Sequence, residues 1–212
     1  MDFVQILILS IIQGITEFLP ISSQSHLILT SKLLGMSDQG LSFDIALHAG
    51  SLMAILIYYR KEVTKIISIS DEGIQYLKLI IIGSIPLPII GLLFVDIVSE
   101  NLRTINTIAF MTIVFALLLY FAERRNYENK NSFATLSFFT IIFIGFMQTL
   151  AIMPGVSRSG IVITAALLLN YSREDSIKIA FLLSIPAIFM ATVYQSMQLY
   201  EVGNIEILNE HL

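Results

Sequence analysis

The chain has 212 residues, of which 56% are hydrophobic and only 13% are charged, whereas soluble domains carry about 25% charged residues. This composition predicts an all-α polytopic membrane protein, and a net charge of −4 argues against a nucleic-acid partner. The absence of cysteine excludes disulfides, thiolate chemistry and cysteine-based zinc sites.

The chain divides into apolar segments that are each expected to be helical. The N-terminus lacks the basic stretch and small-residue cleavage site of a signal peptide, so the first segment is expected to be retained. The polar tail "EVGNIEILNEHL" is not expected to span, and residues 70–73 and 123–131 are expected to be solvated loops. The expected helices are 3–19, 22–35, 41–59, 74–95, 104–122, 134–153, 157–170 and 176–199.

Two of these segments are too short to cross a membrane. Segments 22–35 and 157–170 have 14 residues each, about 21 Å of helix, whereas a crossing needs about 20 residues. Each follows an apolar segment that ends in a proline, Pro20 or Pro154. We therefore predict two re-entrant hairpins, which are tolerated where they pack in protein or line a watery cavity.

The basic residues test this topology. With two re-entrant hairpins and four crossings, nine of the twelve basic residues fall on one side, which the positive-inside rule makes cytoplasmic. The N-terminus is then external. The nine residues are Arg60, Lys61, Lys65, Lys78, Arg124, Arg125, Lys130, Arg173 and Lys178.

The two hairpins then enter from opposite faces, which implies inverted-topology repeats. Both hairpins carry Pro-x-x-Ser at the turn. We expect one integral domain over 1–212, with repeat one at about 1–125 and a C-terminally shortened repeat two at about 132–200. Folds of this kind place their site where the broken helices meet.

The first polar constellation surrounds Pro20 in the stretch "QGITEFLPISSQSHLIL". Gln13 and Glu17 share a helix face, and either serine is a natural N-cap of the following helix. A carboxylate within a membrane segment is costly and is a functional candidate by default. The alternative is that Glu17 and His26 hydrogen-bond each other as packing contacts. The constellation comprises Gln13, Glu17, Ser22, Ser23 and His26.

The second constellation is "PGVSRSG" at 154–160. Gly155 permits close approach to a ligand, and Ser157 and Ser159 are suited to cap the following helix and to donate to oxygens. Arg158 at a helix N-terminus opposes the helix dipole but suits an anion such as phosphate. The alternative is an arginine that snorkels to the cytoplasmic surface.

Together the constellations predict a membrane-embedded site that hydrolyses a phosphate compound. One half supplies a hydroxyl, an imidazole and a carboxylate for proton transfer. The other supplies an arginine and backbone N–H groups that stabilise charge on phosphoryl oxygens. The identity of the lipid tail does not follow from these residues.

At these positions the chain resembles the bacterial undecaprenyl-diphosphatases of the bacitracin-resistance type. Gln13, Glu17, "FLPISS" and His26 match the family's first motif, and "PGVSRSGIV" matches its second. The stretches 43–56 and 172–188 are also similar. The resemblance implies a bacterial inner-membrane enzyme that recycles the undecaprenyl carrier for peptidoglycan synthesis.

The resemblance also implies roles for individual residues. Glu17 acts in catalysis or, with Gln13 in support, in binding Mg²⁺ or Ca²⁺. Ser23 is the candidate nucleophile, although attack by water stays open, and His26 is its proton-transfer partner. Arg158 clamps the diphosphate. The remaining phosphate-binding residues are Ser22, Gly155, Ser157 and Ser159.

Three departures from the family pattern leave alternatives open. Val162 replaces a threonine, with Thr164 expected on the opposite helix face, and Ser25 replaces a glycine. The second repeat lacks two crossings, which suggests a truncated, inactive homologue or a short form that oligomerises, for instance as a homodimer. A lipid-phosphate transporter on the same scaffold is the other alternative. His48 is at least as well explained by packing as by a site role.

Overall fold

A computed structural model of the chain describes residues 3–35, 41–68, 70–102, 104–125 and 131–210. In these ranges the chain is helical, without a β-strand, apart from an isolated bridge between Asn131 and Tyr171. The all-α prediction is confirmed. The helices are α1 (Phe3–Thr16), α2 (Ser23–Leu33), α3 (Leu41–Tyr58), α4 (Arg60–Ile66), α5 (Asp71–Ser84), α6 (Pro86–Asn101), α7 (Ile105–Arg125), α8 (Phe138–Thr149), α9 (Arg158–Leu168) and α10 (Arg173–Glu210), with 3₁₀ turns at Phe133–Thr135 and Leu150–Ile152.

Two helical hairpins form where the prolines predicted them. Helix α1 packs against α2 across the turn 17–22, and α8 packs against α9 across the connection 150–157. Helices α2 and α9 have 11 residues each, about 16 Å of length. Both are therefore too short to cross a membrane, as the sequence indicates. The side from which each hairpin enters, and the division into inverted repeats, remain predictions.

Three helical stretches in the described part of the chain are long and apolar enough to cross a membrane. They are Asp71–Phe94, Ile105–Arg125 and Arg173–Glu201, and Ile45–Tyr58 is among the shorter apolar helices. Asp71–Phe94 covers α5 and the start of α6. The two join at Ile85, which keeps helical angles of φ −60° and ψ −43°. The break arises because Pro86 has no N–H to continue the hydrogen-bond ladder.

Several boundaries differ from the prediction because polar residues extend or begin helices. Residues 70–73 are not a loop: the Ser70 hydroxyl accepts from the Gly73 N–H at 3.1 Å and caps α5. The segment after Tyr59 forms the unpredicted helix α4. Helix α7 runs into the predicted loop 123–131, and α10 continues beyond residue 199 to Glu210. Hydropathy locates apolar stretches, whereas a helix ends only where the backbone pattern is broken.

Helix α4 is tied to α5 by an exposed ion pair. Lys65 Nζ lies 2.8 Å from Glu72 Oε1, and this hydrogen bond raises the pKa of the Lys65 ammonium. A cap and an acidic first turn, with Asp71 and Glu72, favour the start of α5.

Helix α9 is the centre of the bundle. Residues 159–167 are all buried, and α9 packs against α7, α8 and α10. Helices α5 and α8 cross with their backbones in contact: a Cβ on Gly145 would lie 2.5 Å from the Gly83 carbonyl oxygen. A smaller cluster of Leu9, Leu27 and Leu47 joins α1, α2 and α3. The first hairpin is thereby fixed to α3, and α3 packs against α10.

Candidate active site

The tips of the two hairpins meet. The hydroxyls of Ser157 and Ser159 lie 3.3 and 2.9 Å from the carbonyl oxygen of Leu19 and donate to it. A Cβ on Gly160 would lie 3.2 Å from Pro20 Cβ, so the two turns are in close contact. The structure therefore brings together the two polar constellations that the sequence predicted to face each other.

Glu17 lies at the centre of this contact, and its carboxylate is buried. Oε1 accepts from Arg158 Nη2 at 2.8 Å. Oε2 accepts from the Ser23 hydroxyl at 2.6 Å and from Gln13 Nε2 at 3.0 Å. One carboxylate thus connects the arginine of the second hairpin to the serine of the first.

Ser22 and His26 orient the start of α2. Ser22 occupies the N-cap position with φ 62°, a conformation unusual for a residue with a side chain. Its hydroxyl does not cap the helix and pairs instead with Ser25 Oγ at 3.0 Å. His26 Nδ1 lies 2.9 Å from the Ser22 carbonyl oxygen. Because a carbonyl only accepts, Nδ1 carries the proton, and Nε2 of a neutral ring is the basic nitrogen.

The sequence predicted proton transfer from Ser23 to His26, but the hydrogen bonds of these two side chains run to other partners. The hydrogen bond that the structure gives the Ser23 hydroxyl runs to Glu17 Oε2. The Ser23 hydroxyl is therefore paired with the Glu17 carboxylate. The alternative in which Glu17 and His26 pair with each other is also not what these contacts show, since the His26 Nδ1 partner is the Ser22 carbonyl.

Arg158 is turned into the protein rather than towards an aqueous surface. The Arg158 side chain is 16% exposed, and the side chain of its ion-pair partner, Glu17, is 7% exposed. The second terminal nitrogen, Nη1, is buried and has no hydrogen-bond partner within the described residues. Buried donors are almost always paired in proteins. Nη1 is therefore a free donor suited to an anionic oxygen, and the snorkelling alternative does not describe this side chain.

Ser157 and Gly155, two further predicted phosphate-binding residues, make contacts that hold the second turn in place, and their predicted role towards phosphate stays a prediction. The Ser157 hydroxyl accepts from the Gly160 N–H at 3.2 Å and caps α9, as predicted. Gly155 has φ 95°, and a Cβ there would lie 2.4 Å from the Ile108 carbonyl oxygen. The Gly155 carbonyl accepts from Thr112 at 3.1 Å. The close approach that this glycine permits is made to α7.

A cavity of about 450 Å³ adjoins the first hairpin tip. It begins at Phe18, Leu19 and Pro20, immediately after Glu17, and runs between α7, α9 and α10. Its walls are almost wholly apolar, and the ion pair of Glu123 with Arg173 borders it. Its volume lies within the range of about 300–1,000 Å³ that small-molecule sites occupy.

Comparison with known proteins places this site in a family. Residues 6–211 match the family described as "Bacitracin resistance protein BacA". The chain belongs to the BacA family. Three similar curated proteins carry the name undecaprenyl-diphosphatase. The protein of Saccharophagus degradans is 44% identical over 97% of this chain and 80% of its own length. The protein of Vesicomyosocius okutanii is 42% identical over 98% of this chain and 83% of its own length. The protein of Teredinibacter turnerae is 43% identical over 94% of this chain and 78% of its own length.

Two departures from the BacA motifs are accommodated by packing. Val162 is 1% exposed and belongs to the main core cluster, so a hydrophobic side chain suits this position. The Thr164 hydroxyl donates to the Gly160 carbonyl at 2.7 Å and does not replace the missing hydroxyl. Ser25, the second of these two departures, forms the hydroxyl pair with Ser22. His48 lies in α3, one turn before Ser51.

The divalent cation that BacA resemblance implies does not fit Glu17 as the structure arranges it. Both carboxylate oxygens already accept hydrogen bonds, and one of them pairs with the Arg158 cation. No group of three or more His, Cys, Asp or Glu side chains suited to a metal occurs in the described part of the chain. Mg²⁺ and Ca²⁺ require several oxygen ligands.

Three contributors to this BacA site were missed by sequence reasoning. They are the backbone carbonyl of Leu19, the close approach at Gly160, and Ser51 of α3. Ser51 Oγ lies 3.4 Å from Gln13 Nε2 and donates to the Leu47 carbonyl at 3.1 Å. The first two could not be read from side-chain chemistry. Ser51 had a weak signal, since it is a polar residue within an apolar segment.

Proposed function

We propose that this chain is a membrane-embedded phosphatase that hydrolyses undecaprenyl diphosphate to undecaprenyl phosphate and phosphate. The curated relatives named undecaprenyl-diphosphatase support this activity. The observation that carries the activity to particular residues is the side chain of Arg158. It binds Glu17 through Nη2, and its Nη1 is buried without a hydrogen-bond partner among the described residues. The relatives' names do not favour the transporter alternative.

The proposed binding step is an exchange of partners at Arg158. A terminal phosphate oxygen satisfies Nη1 and competes with Glu17 for Nη2, because a guanidinium fork suits two phosphate oxygens. The N-terminus of α9, which begins at Arg158, adds backbone N–H groups and a favourable dipole for an anion. Binding of the phosphate thus draws the arginine's charge away from the Glu17 carboxylate.

The proposed first chemical step uses Ser23 as the nucleophile. As Arg158 turns to the substrate, Glu17 Oε2 takes the Ser23 proton across the existing 2.6 Å contact. The serine oxygen forms a bond to the terminal phosphorus, and the anhydride P–O bond breaks. Its electron pair leaves on undecaprenyl phosphate. Arg158 stabilises the charge on the transferring phosphoryl oxygens.

The proposed second step hydrolyses the phosphoserine. His26 Nε2 is the unprotonated ring nitrogen in the arrangement fixed by Nδ1 and the Ser22 carbonyl. It takes a proton from water, whose oxygen bonds to phosphorus as the serine P–O bond breaks. Ser23 recovers its proton from Glu17, His26 releases the proton it took to bulk water, and phosphate leaves. His26 thereby acts on water, whereas Glu17 acts on serine.

The apolar cavity supports a lipid substrate. It begins at the residues next to Glu17 and is large enough for the part of the prenyl chain nearest the phosphates. We further propose that the chain lies in the bacterial inner membrane with its N-terminus external and that it is built of two inverted repeats. Formation of a homodimer remains a prediction of the sequence.

Phosphate release by the purified full chain tests this proposal. We expect undecaprenyl diphosphate to release one phosphate per molecule, and Arg158→Ala to release essentially none. Rapid quenching with substrate labelled at the terminal phosphate should trap label on the wild type but not on Ser23→Ala. No release by folded wild-type protein would refute the function. Release without trapped label, undiminished in Ser23→Ala, would instead show direct attack by water.

A further inference from the structure

The charge of Glu17 is compensated entirely by donors from this chain. Arg158 supplies the positive charge at 2.8 Å, and Ser23 and Gln13 donate to the other oxygen at 2.6 and 3.0 Å. Gln13 is 1% exposed, and Glu17 is 9% exposed. A buried carboxylate with one cation and two neutral donors already meets the requirements for stable burial.

The orientation of the Gln13 amide follows from its neighbours. Ser51 Oγ donates to the Leu47 carbonyl at 3.1 Å, so its remaining role towards Gln13 is to accept. Glu17 Oε2 also only accepts. Both contacts therefore require the NH₂ end of the amide. The reversed amide would place its oxygen against a carboxylate oxygen, with repulsion in place of a hydrogen bond.

This orientation places an N–H donor where a divalent cation would have to bind Glu17. A cation on Oε2 would face the Gln13 NH₂ group at close range, and a cation on Oε1 would face the Arg158 guanidinium. Gln13 Oε1 is buried without a hydrogen-bond partner in the described residues. That single neutral oxygen suits a water molecule, whereas Mg²⁺ needs about six ligands in near-octahedral geometry.

We propose that Gln13 excludes a resident divalent cation from Glu17, and that a carboxylate at position 13 would create a binding site for such a cation. Two carboxylates at the distance of the present 3.0 Å contact would repel each other, and a divalent cation between them would remove the repulsion. In the chain as it stands, a cation reaches this site only in the company of substrate phosphate oxygens. The inference concerns the site of the proposed function, but its readout does not depend on hydrolysis.

Binding of Mn²⁺ to the purified full chain without substrate, followed by electron paramagnetic resonance, tests the inference. We expect wild type and Glu17→Gln to bind Mn²⁺ equally, with no site that depends on Glu17. Gln13→Glu should gain one site per chain, with an affinity at least about tenfold higher than the wild type shows, because a second carboxylate has been added. The double variant Gln13→Glu, Glu17→Gln has the wild-type charge and should lose that site.

Two results would overturn the inference. The first is a Mn²⁺ site in wild type that Glu17→Gln abolishes, a comparison that does not depend on the folding of Gln13→Glu. The second is a Gln13→Glu protein that melts at the wild-type temperature and gains no site. Failure of phosphate release with these binding results intact would refute the proposed function alone.

Discussion

Arg158 and Glu17 are 141 residues apart in the chain, and their side chains form an ion pair with a distance of 2.8 Å between Nη2 and Oε1. The pair joins the tips of two separate helical hairpins. Through Glu17 Oε2 it extends to the Ser23 hydroxyl. This connection turns two short polar motifs into one site.

Arg158→Lys should lower kcat by about 100-fold or more, since oxyanion-stabilising donors contribute about 10²–10³ in rate. Lysine keeps the positive charge but lacks the planar fork that serves Glu17 and a phosphate together. Phosphate release and thermal melting of the variant in detergent check this. His48→Ala is the control and should cost much less. Near-normal turnover by Arg158→Lys would contradict the role of the guanidinium.

Arg158→Ala should also destabilise the fold, because it leaves the buried Glu17 carboxylate without its cation. Removal of one partner of a buried pair costs about 3–5 kcal/mol. The double variant Arg158→Ala, Glu17→Gln should recover much of this stability without activity. Thermal melting of the single and double variants measures both effects, and equal melting temperatures would argue against burial of the pair.

Gly160→Ala should reduce kcat/KM by up to about 10-fold, because its neighbours must shift by a few tenths of an ångström, whereas a displacement of about 1 Å in a catalytic site costs about 100-fold. The new Cβ would lie 3.1 Å from Ser157 Cβ and 3.2 Å from Pro20 Cβ, which pushes the two hairpin tips apart. Gly14→Ala, with nothing within 4 Å of the new Cβ, is the matched control. Equal kinetics of the two variants would show that the tips need not touch.

Gly155→Ala should destabilise the protein rather than selectively weaken substrate binding. Its φ of 95° is strained for alanine, and the new Cβ would lie 2.4 Å from the Ile108 carbonyl oxygen. The melting temperature of Gly155→Ala should lie well below that of Gly91→Ala, because a Cβ on Gly91 would meet only open space. An unchanged melting temperature with a raised KM would instead support the prediction that Gly155 lies against the ligand.

Ala116→Phe should narrow the apolar cavity and discriminate between substrates by length. Ala116 lines the cavity on α7. We expect KM for undecaprenyl diphosphate to rise about tenfold, equivalent to loss of about two buried CH₂ groups, with a smaller effect on farnesyl diphosphate. Ala109→Phe, two turns earlier on α7, is the control. Identical KM changes for both lipids would show that the cavity does not bind the prenyl tail.

How much of the fold the sequence determined is clearest at the hairpins. Pro20 and Pro154, followed by runs too short to cross a membrane, correctly predicted the pairs α1–α2 and α8–α9. The cap at Ser157 and the meeting of Glu17 with Arg158 were also foreseen. These features follow from local rules: proline removes an N–H donor, a serine caps a helix, and a buried carboxylate needs a cation.

Only the tertiary structure decided which partner each polar group takes. It assigned Ser23 to Glu17 and the hydroxyl of Ser159 to the Leu19 carbonyl, and it placed Gly155 against the backbone of α7. Such contacts join residues far apart in the chain, and their geometry depends on how close the helices pack. Residue types and spacing limit the chemistry that a site can perform, whereas hydrogen bonds of about 3 Å are settled by the positions of whole helices.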